Sequence, residues 1–272
     1  MMMTLFHKLF HVPYSLKITQ DTKQGLPVIF LHGVASDSST WKHVLPKLPP
    51  HYRAITIDLL GFGSSPKPSH ISYTMQDHAR AVTKTIRRLG MNKPAVIVGH
   101  SMGALIAIDI AKNNPQLVHS LVLVGAPLYN PEDIVFATSK YANPKLSLGN
   151  SLFYMYDQIV YNKKLTLKTA QRFVKIAPFR NSFILTKDTW EPFKLSLTNT
   201  IMKQNSTAEL LGLHSKVVLV YGKMDLLLQQ KNYDKLASFH NENIILMPHR
   251  GAHMITKQSA PLVIQAIEEA AK

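Results

Sequence analysis

The stretch Gly99-His100-Ser101-Met102-Gly103 sets one serine between two glycines, directly after an aliphatic run and directly before a helix-like pattern. A hydroxyl on so tight a corner suits nucleophilic attack. Serine at such a corner sits in strained backbone geometry, and a Cβ at either flanking position would collide with the neighbouring strand or helix, a collision that glycine removes. The helix beginning near Met102, with Ala104, Ala107 and Ala111 along it, can then lie close to a sheet. Its N-terminus directs free N–H groups and a partial positive charge to the place where an oxyanion would form.

A serine hydroxyl needs a base, and the base needs an orienting acid. Thirteen histidines compete for the first role. His253, in HRGAHMI, follows the last strand-like run and precedes the last helix, which places it at the same sheet edge as Ser101. His249 is the rival and is expected to end that strand. For the acid, Asp225 in VVLVYGKMD follows the preceding core run at that edge, and the order Ser, Asp, His suits a strand–turn–helix nucleophile. Asp58, among the glycines of IDLLGFGSS, is expected to fix a loop, and Glu132 or Asp133 is the runner-up acid. A second oxyanion donor should come from the loop in FLHGVASDSSTW, where the Val34 amide would pair with that of Met102; His32 is read as packing that loop.

These positions need a sheet to bring them together. The runs VIFLHG, AITIDLLG, AVIVGH, SLVLVGAP, VVLVYG and NIILMPH are short, continuously apolar and rich in branched residues, as strands buried on both faces should be. Helical patterns alternate with them over 73–89, 226–239 and 261–271, which predicts a mostly parallel sheet with helices on both faces. The more weakly patterned YSLKI is expected to add an antiparallel hairpin at one edge. The alternation breaks after Pro127. Residues 128–213 read as helices and loops rich in aromatics, with turns at NPED, ANPK, APF and EPF. This divides the chain into a core of 1–127 and 214–272 and a mostly helical cap insertion of 128–213, whose Phe136 and Met155 are expected to help form an apolar pocket.

Composition bounds the rest. The chain has 272 residues, 46% hydrophobic and 17% charged, which excludes the disordered class, and no apolar run reaches the roughly 20 residues needed to span a bilayer. Lys8 and two histidines interrupt the first apolar stretch before a signal-peptide core could form, so a cytoplasmic location is expected. With no cysteine there is no disulfide, thiolate zinc site or cysteine nucleophile. The net charge of +15 favours loose association with polyanions or anionic lipid, yet the basic residues are spread without a run of four, which predicts no specific nucleic-acid partner. The densest basic stretch is YNKKLTLKTAQRFVK, over 161–175, spaced as an exposed helix face.

In HGVASDSSTW, DLLGFGSSPKP, GHSMG, YGKMD and GAHM, in that order, the chain resembles the α/β-hydrolase superfamily. The resemblance implies the α/β-hydrolase fold, a helical cap, a Ser101–His253–Asp225 triad and no metal or organic cofactor. Haloalkane dehalogenases and epoxide hydrolases look similar but carry aspartate where this chain has Ser101. The single Gly-Val turn at the first oxyanion loop is similar to that of many carboxylesterases, C–C bond hydrolases and cofactor-free perhydrolases. Hydrolases of meta-ring-fission products usually carry further glycine and a substrate-binding asparagine there; Ser36, Ser38 and Ser39 stand here instead. The expected activity is cleavage of carboxylic esters of a small, largely apolar substrate. A C–C hydrolase or perhydrolase with the same triad is the alternative, and a ligand-binding protein with vestigial turnover is a third reading.

Overall fold

The computed structural model describes residues 12–130, 133, 148–173 and 184–272. Among these residues seven strands form one sheet: β1 (Ile18–Asp21), β2 (Leu26–Leu31), β3 (Tyr52–Ile57), β4 (Ala95–His100), β5 (Val118–Val124), β6 (Lys216–Gly222) and β7 (Ile244–His249). Their spatial order is β1-β3-β2-β4-β5-β6-β7. All neighbours are parallel except β1 and β3. The chain reverses its direction of growth at β2, which pairs with β3 on one side and β4 on the other. In open α/β sheets this switch point opens a crevice at the carboxyl ends of the strands, where sites form.

Each aliphatic run of the sequence became one of these strands, and an antiparallel strand stands at the sheet edge as expected, though not in a hairpin with the next strand. β1 begins at Ile18, the last residue of YSLKI, and pairs antiparallel with β3, not with β2, its neighbour in sequence. Both hydrogen-bonding edges of β2 are already occupied, so β1 must step across β3 to find a partner. The intervening turn reverses through left-handed backbone at Lys23 and Gly25.

Alternate residues of the strands feed two cores. Ile29, Leu31, Ile97, Leu121 and Leu123 face one side; Val28, Phe30, Val96, Val98 and Val122 face the other. The helices supply matching stripes. α1 (Met75–Arg87) and α2 (Met102–Asn113) cover the first face with Ala79, Val82, Ile86, Leu105 and Ile108. α1 starts at a capping box, in which the Thr74 hydroxyl accepts from the Asp77 amide and the Asp77 carboxylate accepts from the Thr74 amide. On the second face, Val263, Ala266, Ile267 and Ala270 project from the C-terminal helix, Ala260–Ala270. Burying each such aliphatic side chain contributes about 1.5–3 kcal/mol, so the sheet is a rigid platform for its carboxyl edge.

Between β5 and β6 the described residues hold α3 (Leu148–Tyr161), α4 (Lys163–Phe173), α5 (Trp190–Ser196) and α6 (Ser206–Leu211), and no strand. A turn of π-helix, Leu197–Ile201, extends α5. The EPF triplet lies inside α5 and is not a turn; Pro192 falls in the first turn of the helix, where a missing N–H costs nothing. After β6 come α7 (Gln230–Ser238), β7 and then α8, the C-terminal helix (Ala260–Ala270). Among the described residues no helix is long and apolar enough to cross a membrane.

Candidate active site

The parallel sheet brings the singled-out residues to one edge. Ser101 follows β4, Val34 follows β2, Asp225 follows β6 and His253 follows β7, each at a strand's carboxyl end. Ser101 has φ 54° and ψ −121°, a left-handed conformation rare for a residue with a side chain. The corner is held because the Ser101 amide donates to the Val124 carbonyl at 2.9 Å. The two glycines are required by contact: a Cβ on Gly99 would fall on the Gly103 carbonyl, and one on Gly103 on the Leu31 carbonyl oxygen.

A serine that begins a helix ordinarily caps it with its side chain. Ser101 does not. Its carbonyl accepts the Ala104 amide at 2.9 Å, but its hydroxyl makes no capping bond, and among the described residues it has no hydrogen-bond partner. The backbone at this corner is left-handed, and the residue is 7% exposed.

Asp225 and His253 meet. His253 Nδ1 lies 2.7 Å from Asp225 Oδ2, and the carboxylate's other oxygen accepts the Leu227 amide at 2.9 Å. The Asp225 side chain is 1% exposed, so both oxygens are committed to donors and the carboxylate is locked in orientation. The hydrogen bond assigns the imidazole proton to Nδ1 and leaves Nε2 as an acceptor, the form a general base requires. Gly125 lies against this pair: its φ is 56°, and a Cβ there would stand 3.4 Å from His253 Nδ1 and 3.6 Å from Asp225 Oδ2. No hydrogen bond joins Ser101 to His253 among the described residues, a looseness common before substrate closes such a site.

The amides of Val34 and Met102 have no protein acceptor among the described residues. Their loops touch: a Cβ on Gly33 would stand 3.1 Å from that of Ser101. The loop carrying Val34 is shaped by its neighbours. His32, fully buried, donates from Nδ1 to the Gly33 carbonyl at 2.7 Å and accepts the Leu59 amide on Nε2 at 2.8 Å, and burial lowers its pKa. Asp58 accepts from the Ser38 amide and hydroxyl at 3.0 and 2.6 Å and from the Ser64 amide at 2.8 Å. Both residues thus bind loops. Ala35 O accepts the Ile184 amide at 2.6 Å, tying this loop to the segment between β5 and β6.

The rival residues have other partners. His249 ends β7 and accepts the Gly251 amide at 2.9 Å. Asp133 pairs with Lys231 and accepts from Asn232. Glu132 and Phe136 lie outside the described residues, and Met155 is partly exposed.

Three side chains that sequence reasoning did not single out complete the surroundings. His100, fully buried, donates from Nε2 to the His253 carbonyl at 2.9 Å. Burial lowers its pKa to about 3, so it is neutral. Tyr129 donates to the Leu227 carbonyl at 2.7 Å and meets the Tyr156 hydroxyl at 3.1 Å. Each bond spans a long sequence separation, which leaves no local pattern to detect.

The comparisons agree with this architecture. A family described as "alpha/beta hydrolase fold" matches residues 27–255. The chain is 29% identical over 160 residues to a protein named "Probable lysophospholipase BODYGUARD 1" from Arabidopsis thaliana, covering 54% of this chain and 34% of that one. It is 37% identical over 106 residues to a "2-hydroxy-6-oxo-6-(2'-aminophenyl)hexa-2,4-dienoic acid hydrolase" from Metapseudomonas resinovorans, covering 38% and 36%. The aligned parts thus span about a third of the length of these relatives. A thermophilic esterase from Thermogutta terrifontis superposes with a TM-score of 0.67 at 21% identity, covering 93% of this chain and 92% of the other. With that profile running from β2 to beyond His253, the chain belongs to the α/β-hydrolase fold family.

Proposed function

We propose that the chain is a serine hydrolase that cleaves carboxylic esters of small, largely apolar substrates through an acyl-enzyme on Ser101. The observation that carries this reading is the 2.7 Å contact of His253 Nδ1 with Asp225, on the sheet edge where Ser101 keeps its hydroxyl out of the helix cap. The core is 1–127 and 214–272, and 128–213 is a mostly helical cap over the crevice.

In the proposed reaction His253 Nε2 takes the Ser101 proton as Oγ bonds to the ester carbonyl carbon. The carbonyl π electrons move to oxygen. The Val34 and Met102 amides receive that oxyanion; donors of this kind are worth roughly 3–4 kcal/mol each when removed. The imidazolium, stabilised by Asp225, gives its proton to the leaving alkoxide as the C–O bond breaks. Water, deprotonated by His253, then attacks the acyl carbon, and Ser101 leaves with a proton returned from the same ring.

The C–C hydrolase reading is the second, favoured by the relative from Metapseudomonas resinovorans. Against it, Ser38 is bonded to Asp58 and Ser36 to Thr40, so these hydroxyls shape the loop and are not left free for a substrate carboxylate. The likeness in sequence to a haloalkane dehalogenase from Agrobacterium fabrum, 30% over 129 residues, meets the difference already noted at Ser101.

The test is hydrolysis of a p-nitrophenyl ester series, from acetyl to long acyl chains, by the intact protein and by Ser101→Ala. Turnover by the first and none by the second is expected. Equal turnover by both would remove Ser101 from the mechanism, and turnover of a vinylogous diketone with no ester cleavage would select the second reading.

A further inference from the structure

The basic stretch after Tyr161 is not used by the proposed reaction, and its exposure pattern is unusual. α3 and α4 meet at Asn162, and the backbone stays nearly helical across the junction: Asn162 N donates to Gln158 O at 3.1 Å and Thr166 N to Asn162 O at 2.9 Å. Tyr161, Leu165, Lys168 and Arg172 therefore follow one another at intervals of 4, 3 and 4 residues, which puts them on a single stripe, with Lys164 beside it. All five are exposed. Tyr161 is 81% and Leu165 63% accessible, while Ala170, on the opposite side of α4, is buried.

This stripe carries costs that the fold itself does not relieve. Two large apolar side chains stand in water. Lys164, Lys168 and Arg172 repeat a like charge at i and i+4, a spacing that disfavours a helix, and among the described residues none has an acidic partner. Lys163 adds a fourth charge, set 5.6 Å from the Trp190 ring. Over residues 148–173 the sequence holds four basic residues and a single acidic one, in a chain of net charge +15.

We propose that the Tyr161–Arg172 stripe docks this protein on an anionic lipid bilayer. Apolar tips flanked by cations fit the boundary between headgroups and acyl chains: Tyr161 and Leu165 enter it, and Lys164, Lys168 and Arg172 lie against the lipid phosphates. A second copy of the chain fits less well, because it would bring the same positive stripe against a molecule of net charge +15.

The full-length protein is sedimented with vesicles of phosphatidylcholine and, separately, of equimolar phosphatidylcholine and phosphatidylglycerol, at low and high salt. Binding to the anionic vesicles alone, weakened by salt, is expected. Two variants separate the contributions: K164Q/K168Q/R172Q and Y161S/L165S should each bind about tenfold or more weakly, from lost charge attraction and lost apolar insertion respectively. The triple variant K47Q/K235Q/K257Q removes three exposed charges from other elements and should bind like the original. Thermal midpoints within a few degrees of the original show that all three fold. The proposal is overturned if neither vesicle is bound, if the control variant loses as much binding as the stripe variant, or if ultracentrifugation finds a dimer that Y161S/L165S dissolves.

Discussion

His100 Nε2 donates a 2.9 Å hydrogen bond to the carbonyl oxygen of His253, so the residue before the candidate nucleophile holds the backbone of the candidate base. The two rings lie 5.0 Å apart, centre to centre. The hydroxyl and the imidazole that would share a proton in the proposed reaction are thereby set on one buried support.

His100→Leu removes the donor and leaves a partly buried carbonyl unpaired, which costs about 1–3 kcal/mol. We expect kcat for a p-nitrophenyl ester to fall roughly tenfold at little change in KM, since each tenfold is about 1.4 kcal/mol. His100→Gln, which can still donate, should recover most of it. A purely structural role would lower the thermal midpoint and leave the kcat of the folded fraction alone.

Asp225→Asn should be far more damaging than its similar shape implies. The Leu227 amide keeps an oxygen at the Oδ1 position, so the new amide NH2 faces His253 Nδ1. The ring must then carry its proton on Nε2, toward Ser101, and cannot accept one. A loss in kcat on the order of 10³–10⁴ is expected, with the protein still folded. Full activity in Asp225→Asn would move the acid elsewhere.

The core strands and the candidate site were legible in the sequence for the same reason. Continuous aliphatic runs such as AVIVGH have nowhere to go but a sheet covered on both sides, and a parallel sheet sends every strand's carboxyl end to one edge, where Ser101, Asp225 and His253 follow. The partner of β1 was not legible, because ITQD carries little hydrophobic pattern and both edges of β2 are taken, by β3 and β4. Pro192 read as a breaker, although its place in the first turn of α5 makes it harmless. His100 lay within the motif, yet its role arises from a partner 153 residues away.

Acid should destabilise the fold well before the carboxylates titrate. Burial lowers the pKa of His78 to about 4 and that of His100 to about 3. Folded pKa values below the unfolded value near 6.5 mean that the unfolded chain binds more protons between them. The stability these neutral rings contribute is complete above about pH 6.5 and is lost as pH falls toward 4 and 3. Urea midpoints measured from pH 7 to pH 4.5 should fall steadily, and His78→Gln should flatten the slope by about one proton. An unchanged slope in that variant would show that His78 does not titrate on unfolding.

The glycines beside Ser101 should resist replacement for packing reasons. Gly103→Ala places a methyl on the Leu31 carbonyl, and Gly99→Ala one on the Gly103 backbone, where no flexible side chain can give way. We expect each to cost at least about 2 kcal/mol in stability, against a gain of a few tenths to about 1 for a glycine-to-alanine change at an unstrained helical site. Denaturation of the two variants reads this out directly. Gly90→Ala is a useful contrast, since nothing lies within 4 Å but its φ of 59° still penalises a side chain.

The tyrosine pair offers a test of how the segment between β5 and β6 supports the acid. Tyr129 donates to the Leu227 carbonyl at 2.7 Å, and the Leu227 amide donates to Asp225 Oδ1 at 2.9 Å, so Tyr129 holds the residue whose amide orients the carboxylate. Since the Tyr129 proton is committed to Leu227, the 3.1 Å contact with Tyr156 requires Tyr156 to be the donor. Tyr129→Phe then removes a donor from the carbonyl and an acceptor from Tyr156, whereas Tyr156→Phe removes one donor and leaves the Leu227 clamp in place. The first should cost about 1–3 kcal/mol and lower kcat several-fold; the second should cost less and barely alter kcat. The two changes share a bond, so the double variant should be less destabilised than the sum of the singles by about 0.5 kcal/mol or more. Simple additivity would mean that α3 packs beside the site without transmitting its position to Asp225.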